Sequence, residues 1–168
     1  MLGGGANWIG QQIGGLVDFL FPAACPICLK TFTFAAPSSS FCTLCSSTIT
    51  PLPSGRCSRC ALPFKATSSS SHYCADCSRR PPSFSAVFAA GLYSGPLQLA
   101  LQRFKYAGAI DLDQPLAKLL YEQIPPDIEE HVIVPVPLHV SRLRQRGYNQ
   151  SLLLAKVLAH NLQFSLEQ

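Results

Sequence analysis

Eight cysteines, grouped in four Cys-x-x-Cys pairs, constrain this chain of 168 residues more than any other feature. Two thiolates three positions apart can occupy two corners of a tetrahedron around one Zn²⁺ ion, and a second pair completes the tetrahedron. Four pairs therefore predict two structural zinc sites. The predicted ligands are Cys25, Cys28, Cys42, Cys45, Cys57, Cys60, Cys74 and Cys77.

The cysteine pairs can combine in two ways. A sequential arrangement joins the first pair with the second and the third with the fourth, and it is favoured because it closes the shorter loops at the lower entropic cost. A crossed arrangement joins the first pair with the third. In both arrangements four thiolates leave no open position for a water nucleophile, so the sites stabilise the fold.

Other uses of the same cysteines are weaker interpretations. Disulfides need an oxidising compartment, yet the first basic residue is Lys30, so no positive charge precedes an apolar segment as in a secretory signal. A redox Cys-x-x-Cys motif usually occurs once, after a strand. An iron-sulfur cluster is a further alternative. Zinc and a cytoplasmic location are the expectation.

The net charge of +4 does not by itself indicate a nucleic-acid partner. Residues 1–85 carry six basic and two acidic side chains, whereas residues 86–168 carry seven of each. Eight thiolates on two Zn²⁺ ions would cancel the excess positive charge.

The sequence predicts three segments with bounds at 1–22, 23–82 and 83–168. The first is an amphipathic helix with Trp8, Ile9, Ile13 and Leu16 on one face, packed on the next module or docked on a membrane surface. Its glycines and glutamines exclude a membrane span. The second is a double zinc ribbon of β-hairpin type, with serine-rich tracts at its tips and with His72 exposed and not a ligand.

The third segment alternates predicted strands and helices, which is typical of an α/β fold. Strands are predicted over 85–93 and, buried, over 131–137, with helices over 97–106, 113–123 and 149–160. Open α/β folds bind phosphates where strands end and helices begin. The basic stretch between Pro137 and Asn149 is predicted as a loop at such a place.

Three alternating arginines, Arg142, Arg144 and Arg146, supply planar donors suited to a doubly charged oxyanion. Gly147 allows close backbone approach, and Asn149 is placed to cap the following helix. The stretch predicts a phosphate or pyrophosphate site, with a solvated basic rim as the alternative.

The sequence resembles the ComF family of competence-associated proteins. The matching stretches are Phe21-Pro22, the four cysteine pairs, Phe104-Lys105-Tyr106-Ala107-Gly108, and Val134-Pro135-Val136-Pro137-Leu138 running to Arg146-Gly147-Tyr148-Asn149-Gln150. The resemblance implies a small zinc-ribbon module followed by an incomplete α/β type I phosphoribosyltransferase-like domain. It also implies that the loop with Arg142, Arg144, Arg146, Gly147, Tyr148 and Asn149, together with Lys105, faces the pyrophosphate of phosphoribosyl pyrophosphate (PRPP), with Mg²⁺ if the protein is active.

One part of the family pattern is absent. Phosphoribosyltransferases have a later strand that ends in two adjacent acidic residues, followed by a loop rich in Thr and Gly that holds the ribose and its 5′-phosphate. Here Glu129-Glu130 precedes a strand instead. The sequence therefore predicts a chain truncated at its carboxyl end, with an exposed sheet edge, and no catalytic residue is assigned.

Three functions are compatible with these features. One is a transferase acting on PRPP, linked to DNA uptake in natural competence. Another is a non-catalytic zinc-ribbon module that binds single-stranded DNA or a protein of the competence machinery through Arg56, Arg59, Lys65, Arg79 and Arg80 with Phe64, Tyr73 and Phe84. The last is an inactive truncated relic.

Overall fold

A computed structural model describes Pro22 and residues 24–31, 41–64 and 72–168. The amino-terminal helix and the serine-rich tracts that the sequence predicts lie outside the described residues. Among the described residues, no helix is long and apolar enough to cross a membrane.

The amino-terminal part contains two short hairpins that carry the cysteines. The Cys25 N–H donates to the Lys30 carbonyl at 2.9 Å, and the Cys57 N–H donates to the Leu62 carbonyl at 2.9 Å. Each hairpin is followed by one short helix, α1 (Thr43–Ser47) in the first ribbon and α2 (Ala75–Arg79) in the second. The hairpins therefore present their cysteines on tight turns, as zinc knuckles require.

The carboxyl-terminal half is mostly helical over the described residues. Its elements are α3 (Gly95–Tyr106), a 3₁₀ turn (Ile110–Leu112), α4 (Asp113–Tyr121), β1 (Val132–Ile133), α5 (Val140–Arg146), α6 (Gln150–Leu162) and β2 (Ser165–Leu166). The two strands pair in parallel, with Val132 opposite Ser165 and Ile133 opposite Leu166.

The helices predicted from apolar spacing are confirmed at α3, α4 and α6. Pro96 lies in the first turn of α3, where a missing N–H costs nothing, and α3 buries Leu97 and Phe104. Asn149 caps α6 by accepting from the backbone N–H groups of Ser151 and Leu152. Local sequence therefore sets these helices and their ends.

The largest hydrophobic core joins the first ribbon to the helical half. Cys25, Ile27 and Cys45 of the ribbon share one buried cluster with residues of α3, including Phe104, which is 1% exposed. A second core packs α4 against α6 through Ala117, Val157 and Leu158. The first ribbon and the helices thus fold around common apolar contacts.

The predicted strand over 85–93 is wrong. The structure has no strand in this segment, and Phe84, Val87 and Phe88 are exposed. The Leu92 N–H instead donates to the carbonyl of Thr50 at 2.9 Å, which anchors the end of the segment on the link after the first ribbon. A strand forms only beside another strand, and the segment has none beside it in the described structure.

The strand predicted over 131–137 is shorter and more exposed than expected. Only Val132–Ile133 pairs, and Val134 and Val136 are 67% and 71% exposed, so the prediction of a buried strand is wrong. Pro135 and Pro137 interrupt the segment, and proline has no N–H to donate to a ladder.

The loop predicted between Pro137 and Asn149 is also wrong, because residues 140–146 form helix α5. The His139 Nδ1 accepts from the Ser141 N–H at the start of this helix. Gly147 ends it in the left-handed region, at φ 80°, where glycine has no steric penalty. The seven residues of α5, about two turns, contain no proline, and each end has a local cap.

Candidate metal centres and anion site

The eight cysteines form two tetrads, and each tetrad has the dimensions of a zinc site. In each, the four Sγ atoms lie within 4.8 Å of one another. The Cys28 and Cys42 Sγ atoms are 3.8 Å apart, as are those of Cys60 and Cys74. A tetrahedron with Zn–S bonds of about 2.3 Å has edges of about 3.8 Å, so the residues fit the ion.

The tetrads group the cysteine pairs sequentially. Cys25, Cys28, Cys42 and Cys45 form one, and Cys57, Cys60, Cys74 and Cys77 form the other. None of these cysteines is in a disulfide. The structure therefore has the sequential arrangement and not the crossed one.

The second tetrad repeats the first at an offset of 32 residues. Leu29 and its counterpart Ala61 both adopt φ 61° at the end of the knuckle. Cys42 and its counterpart Cys74 both cap a helix, because each sulfur accepts from the backbone N–H three residues later. The chain uses one local design twice.

Backbone donors favour thiolates at the first cysteine of each tetrad. Burial opposes ionisation of Cys25, but N–H groups of Cys42, Cys28 and Ile27 outweigh it and lower the pKa of Cys25 to about 7. The same balance, with donors from Cys60, Cys74 and Arg59, lowers the pKa of Cys57 to about 6. Each hairpin thus stabilises negative charge on one sulfur.

The last cysteine of each tetrad behaves in the opposite way. Burial, together with the neighbouring sulfurs, raises the pKa of Cys45, and it raises the pKa of Cys77 to about 12. Four negative charges cannot share so small a space without a cation. A divalent ion bound by all four sulfurs removes this conflict, because metal binding displaces the thiol protons.

His72 lies outside the second tetrad and is exposed. Its ring stacks on the ring of Phe64 with centroids 4.1 Å apart. The sequence prediction that this histidine is exposed and not a zinc ligand agrees with this placement.

A second group of candidate residues lies where the end of α3 meets the start of α6. The Arg146 guanidinium carbon lies 5.1 Å from the ring centroid of Tyr106, a cation–π distance. The Arg146 Nη1 also donates to the Gln150 Oε1 at 3.1 Å. Arg146 is therefore held from two sides.

Tyr148 and Asn149 connect this group of residues to the rest of the carboxyl-terminal half by hydrogen bonds. The Tyr148 hydroxyl donates to the carbonyl of Phe104 at 2.6 Å. The Asn149 Nδ2 donates to the carbonyl of Val136 at 3.2 Å. Two of the backbone N–H groups at the start of α6, those of Ser151 and Leu152, already donate to the Asn149 Oδ1, so an anion here would depend largely on side-chain donors.

Two buried polar atoms at this corner, the Arg146 Nε and the Gln150 Nε2, have no hydrogen-bond partner at good geometry in the described part of the chain. The Gln150 side chain also interacts weakly with the Tyr148 hydroxyl, which partly offsets the rise in the pKa of Tyr148 caused by burial. Gln150 is 7% exposed. Buried donors are nearly always satisfied in folded proteins. The pair therefore marks a place where a ligand or water oxygen is expected.

The structure does not bring all predicted anion ligands together. Because residues 140–146 are helical, Arg144 lies two positions from both other arginines and does not share their face. Arg142 is exposed, and its Nη1 donates to the Gln145 Oε1. Lys105 is exposed on α3, and Gly147 is the cap of α5. Whether these residues bind pyrophosphate stays a prediction.

Sequence reasoning missed Tyr106 and Gln150 as parts of this corner. Both residues lie inside the stretches that carry the family resemblance. Spacing along the chain could not show that Tyr106 meets Arg146, because 40 residues separate them and only the tertiary fold closes that distance. Gln150 follows Arg146 by four positions, so spacing did offer a signal for that contact.

Comparison with known proteins agrees with the metal centres. Residues 16–78 match the double zinc ribbon domain family. Competence protein F of Haemophilus influenzae is 36% identical over 93 residues, which cover 52% of this chain and 41% of that protein. The DNA utilization protein YhgH of Salmonella typhimurium is 29% identical over 149 residues, which cover 83% of this chain and 61% of that protein.

The chain is similar to these two proteins over part of its length. Its aligned region spans less than two thirds of each of these relatives. No solved structure matches the chain. The double zinc ribbon is therefore shown, and the resemblance that the cysteine pairs and the RGYNQ stretch carry is confirmed.

Proposed function

We propose that this chain takes part in the uptake or use of external DNA, in a reducing compartment such as the cytoplasm. The names of its relatives state competence and DNA utilization for those proteins. The observation that carries the proposal is the pair of tetracysteine sites, which lie within the residues that match the double zinc ribbon domain family. Two structural Zn²⁺ ions then stabilise the amino-terminal part, and a reducing compartment keeps the thiols available.

The helical half, in this proposal, binds the diphosphate group of PRPP beside Arg146. Arg146 supplies a fixed guanidinium, and Gln150 supplies a buried amide donor that has no hydrogen-bond partner at good geometry among the described residues. In a transferase reaction the bond between the anomeric carbon and pyrophosphate breaks. A fixed cation then stabilises the negative charge that develops on the leaving oxygen.

Calorimetry with inorganic pyrophosphate and Mg²⁺ tests the anion site. We expect Arg146→Ala to weaken binding at least tenfold, because it removes the guanidinium that Tyr106 and Gln150 hold at the candidate site. Arg144→Ala is the matched control, since it removes the same charge from an exposed position of the same helix that does not share the face of Arg146. Equal affinities of the two variants, or no heat with the wild-type chain, would contradict the proposed diphosphate site.

A second candidate function is binding of single-stranded DNA by the second ribbon. A surface cavity of about 610 Å³ lies beside the second tetrad and is lined by Leu62, Asp76, Arg79, Arg80 and Phe84. Nearby, the Arg59 guanidinium lies 4.8 Å from the ring centroid of Tyr73, which is 51% exposed. Exposed aromatic rings beside arginines suit stacked bases and phosphates.

Affinity for a single-stranded oligonucleotide, measured against salt concentration, tests this candidate. We expect Arg79→Ala with Arg80→Ala to lower the salt dependence by about two phosphate contacts, since each contact contributes about 0.7 to the slope on single strands. Lys118→Ala on α4 is the control for a lost surface charge. No binding at low salt, where phosphate contacts are strongest, excludes the candidate.

A further inference from the structure

Helix α3 contacts the first zinc knuckle through Arg103, and its last turn contacts Tyr148. The Arg103 Nη1 donates to the carbonyl of Ile27 at 3.0 Å, across 76 residues of sequence. Ile27 lies between two of the predicted zinc ligands and is 3% exposed in the core that α3 also enters. The position of the knuckle and the position of α3 therefore depend on each other.

The last turn of the same helix contacts the candidate anion site formed by Tyr106, Arg146, Tyr148, Asn149 and Gln150, which we call the anion corner. The carbonyl of Phe104 accepts from the Tyr148 hydroxyl at 2.6 Å, and the two rings pack with centroids 6.0 Å apart. Burial, opposed in part by the charge of Arg146, raises the pKa of Tyr148, so the phenol remains a donor at neutral pH. Tyr106, two residues after Phe104, provides the ring under Arg146.

We infer that Arg103 and Tyr148 are positioning residues that couple the first zinc centre to Arg146 through helix α3. Arg103 fixes α3 on the knuckle, and Tyr148 fixes the start of α6 on α3. Arg146, only two residues before Tyr148, is then held between Tyr106 and Gln150. The inference about the ligand rests on the proposed diphosphate site, whereas the coupling itself is a property of the chain without ligand.

Among the residues that the structure describes, the buried cluster of the second ribbon includes no residue of the helical half. The cluster consists of Cys57, Cys74 and Cys77, with Cys60 and Phe64 packed against it, all from within the ribbon. The two zinc centres thus have the same local design but stabilise different parts of the chain. The first supports the anion corner, and the second supports its own hairpin.

Hydrogen exchange and calorimetry on the zinc-loaded chain test the coupling. We expect Arg103→Gln and Tyr148→Phe each to retain two zinc ions per chain. Both should raise amide exchange over residues 146–153 severalfold and weaken binding of inorganic pyrophosphate by about five- to tenfold. Arg103→Lys should restore part of both effects, because a lysine can also donate to the Ile27 carbonyl. Lys156→Gln, which removes an exposed charge from α6, is the matched control and should change neither measurement.

The outcomes separate the two proposals. If the wild-type chain does not bind pyrophosphate but the two variants still raise exchange over residues 146–153, the diphosphate site fails and the coupling stands. If both variants exchange and bind as the wild type does, the coupling is overturned. Variants that lose zinc from the first tetrad while exchange over residues 146–153 stays unchanged overturn it as well, because the anion corner is then independent of the knuckle.

Discussion

The two zinc ribbons have the same donors, the same knuckle geometry and different surroundings. The sulfurs of the first tetrad lie in a core shared with α3, including Phe104 and Leu97. The second tetrad packs mainly on its own hairpin and borders an open cavity of about 610 Å³. The comparison shows that the apolar contacts around a metal site decide whether it stabilises the whole fold or only its own hairpin.

Removing one ligand from each tetrad gives the largest expected difference. Cys25→Ser should lose one zinc and most of the helical signal, because zinc binding by such sites provides on the order of 10 kcal/mol of folding free energy and the helices share the first core. Cys57→Ser should also lose one zinc but retain α3, α4 and α6. Metal analysis and circular dichroism at 222 nm measure both. Equal losses of helical signal in the two variants would show that the two ribbons contribute equally to the stability of the helices.

Acid should release zinc from both ribbons over overlapping pH ranges. Zinc needs thiolates, and the lowered pKa values of Cys25, about 7, and Cys57, about 6, mean that the thiolate form is favoured above these values and is lost as the pH falls through them. Without the ion, this contribution to stability is lost as the pH falls through these values. Bound Zn²⁺ competes with protons for all four sulfurs, so the loaded chain should keep both ions to lower pH and lose them on further acidification. A chromogenic chelator follows the release. If one ion is released at a pH two units below the pH at which the other is released, the two sites do not share a common donor design.

Truncating a core aromatic residue should affect the two ribbons differently. Phe104→Ala should lower the free energy of unfolding by about 3–5 kcal/mol, because a fully buried ring leaves a cavity between the first ribbon and the helices. Phe64→Ala, in the second ribbon, should cost less, since its ring is only partly buried. Urea denaturation followed by helical signal compares them. If Phe64→Ala lowers the free energy of unfolding more than Phe104→Ala does, the second ribbon, and not the first, contains the core that contributes more to stability.

The link between the first ribbon and the helical half leaves no room for a side chain at Gly91. A Cβ atom there would lie 2.6 Å from the carbonyl oxygen of Thr50. Gly91→Ala should therefore destabilise the chain by about 1–3 kcal/mol, the usual cost of overpacking. Ser85→Ala, at an exposed position in the same segment, is the control. Thermal unfolding measures the difference, and equal midpoints would mean that this contact is not tight.

The smallest expected effect is loss of the cap on α6. Asn149→Ala should lower stability by about 1 kcal/mol, because two backbone N–H groups lose their acceptor. Asn149→Ser keeps an acceptor but loses the contact with Val136, so it should recover most of the stability. Chemical denaturation distinguishes the two variants. If serine and alanine are equally destabilising, the contact with Val136 matters more than the cap.

Local features of this chain were predictable because their causes are local. A Cys-x-x-Cys turn brings two sulfurs together whatever surrounds it, and the apolar spacing of residues 97–106 and the cap at Asn149 act within one or two turns. The strand predicted over 85–93 failed for the opposite reason. Its apolar residues suit a strand, but strand formation depends on a neighbour that the segment itself cannot supply.

By itself the sequence determined which eight sulfurs form two metal sites, since each ligand pair lies within four residues and the loops between pairs are short. Among the described residues, the tertiary structure alone decided that the first site, and not the second, shares a core with α3, and that Arg146 meets Tyr106. The physical reason is distance along the chain: hydrogen bonds and cation–π contacts join segments 40 or more residues apart, and no local preference encodes which of them come together.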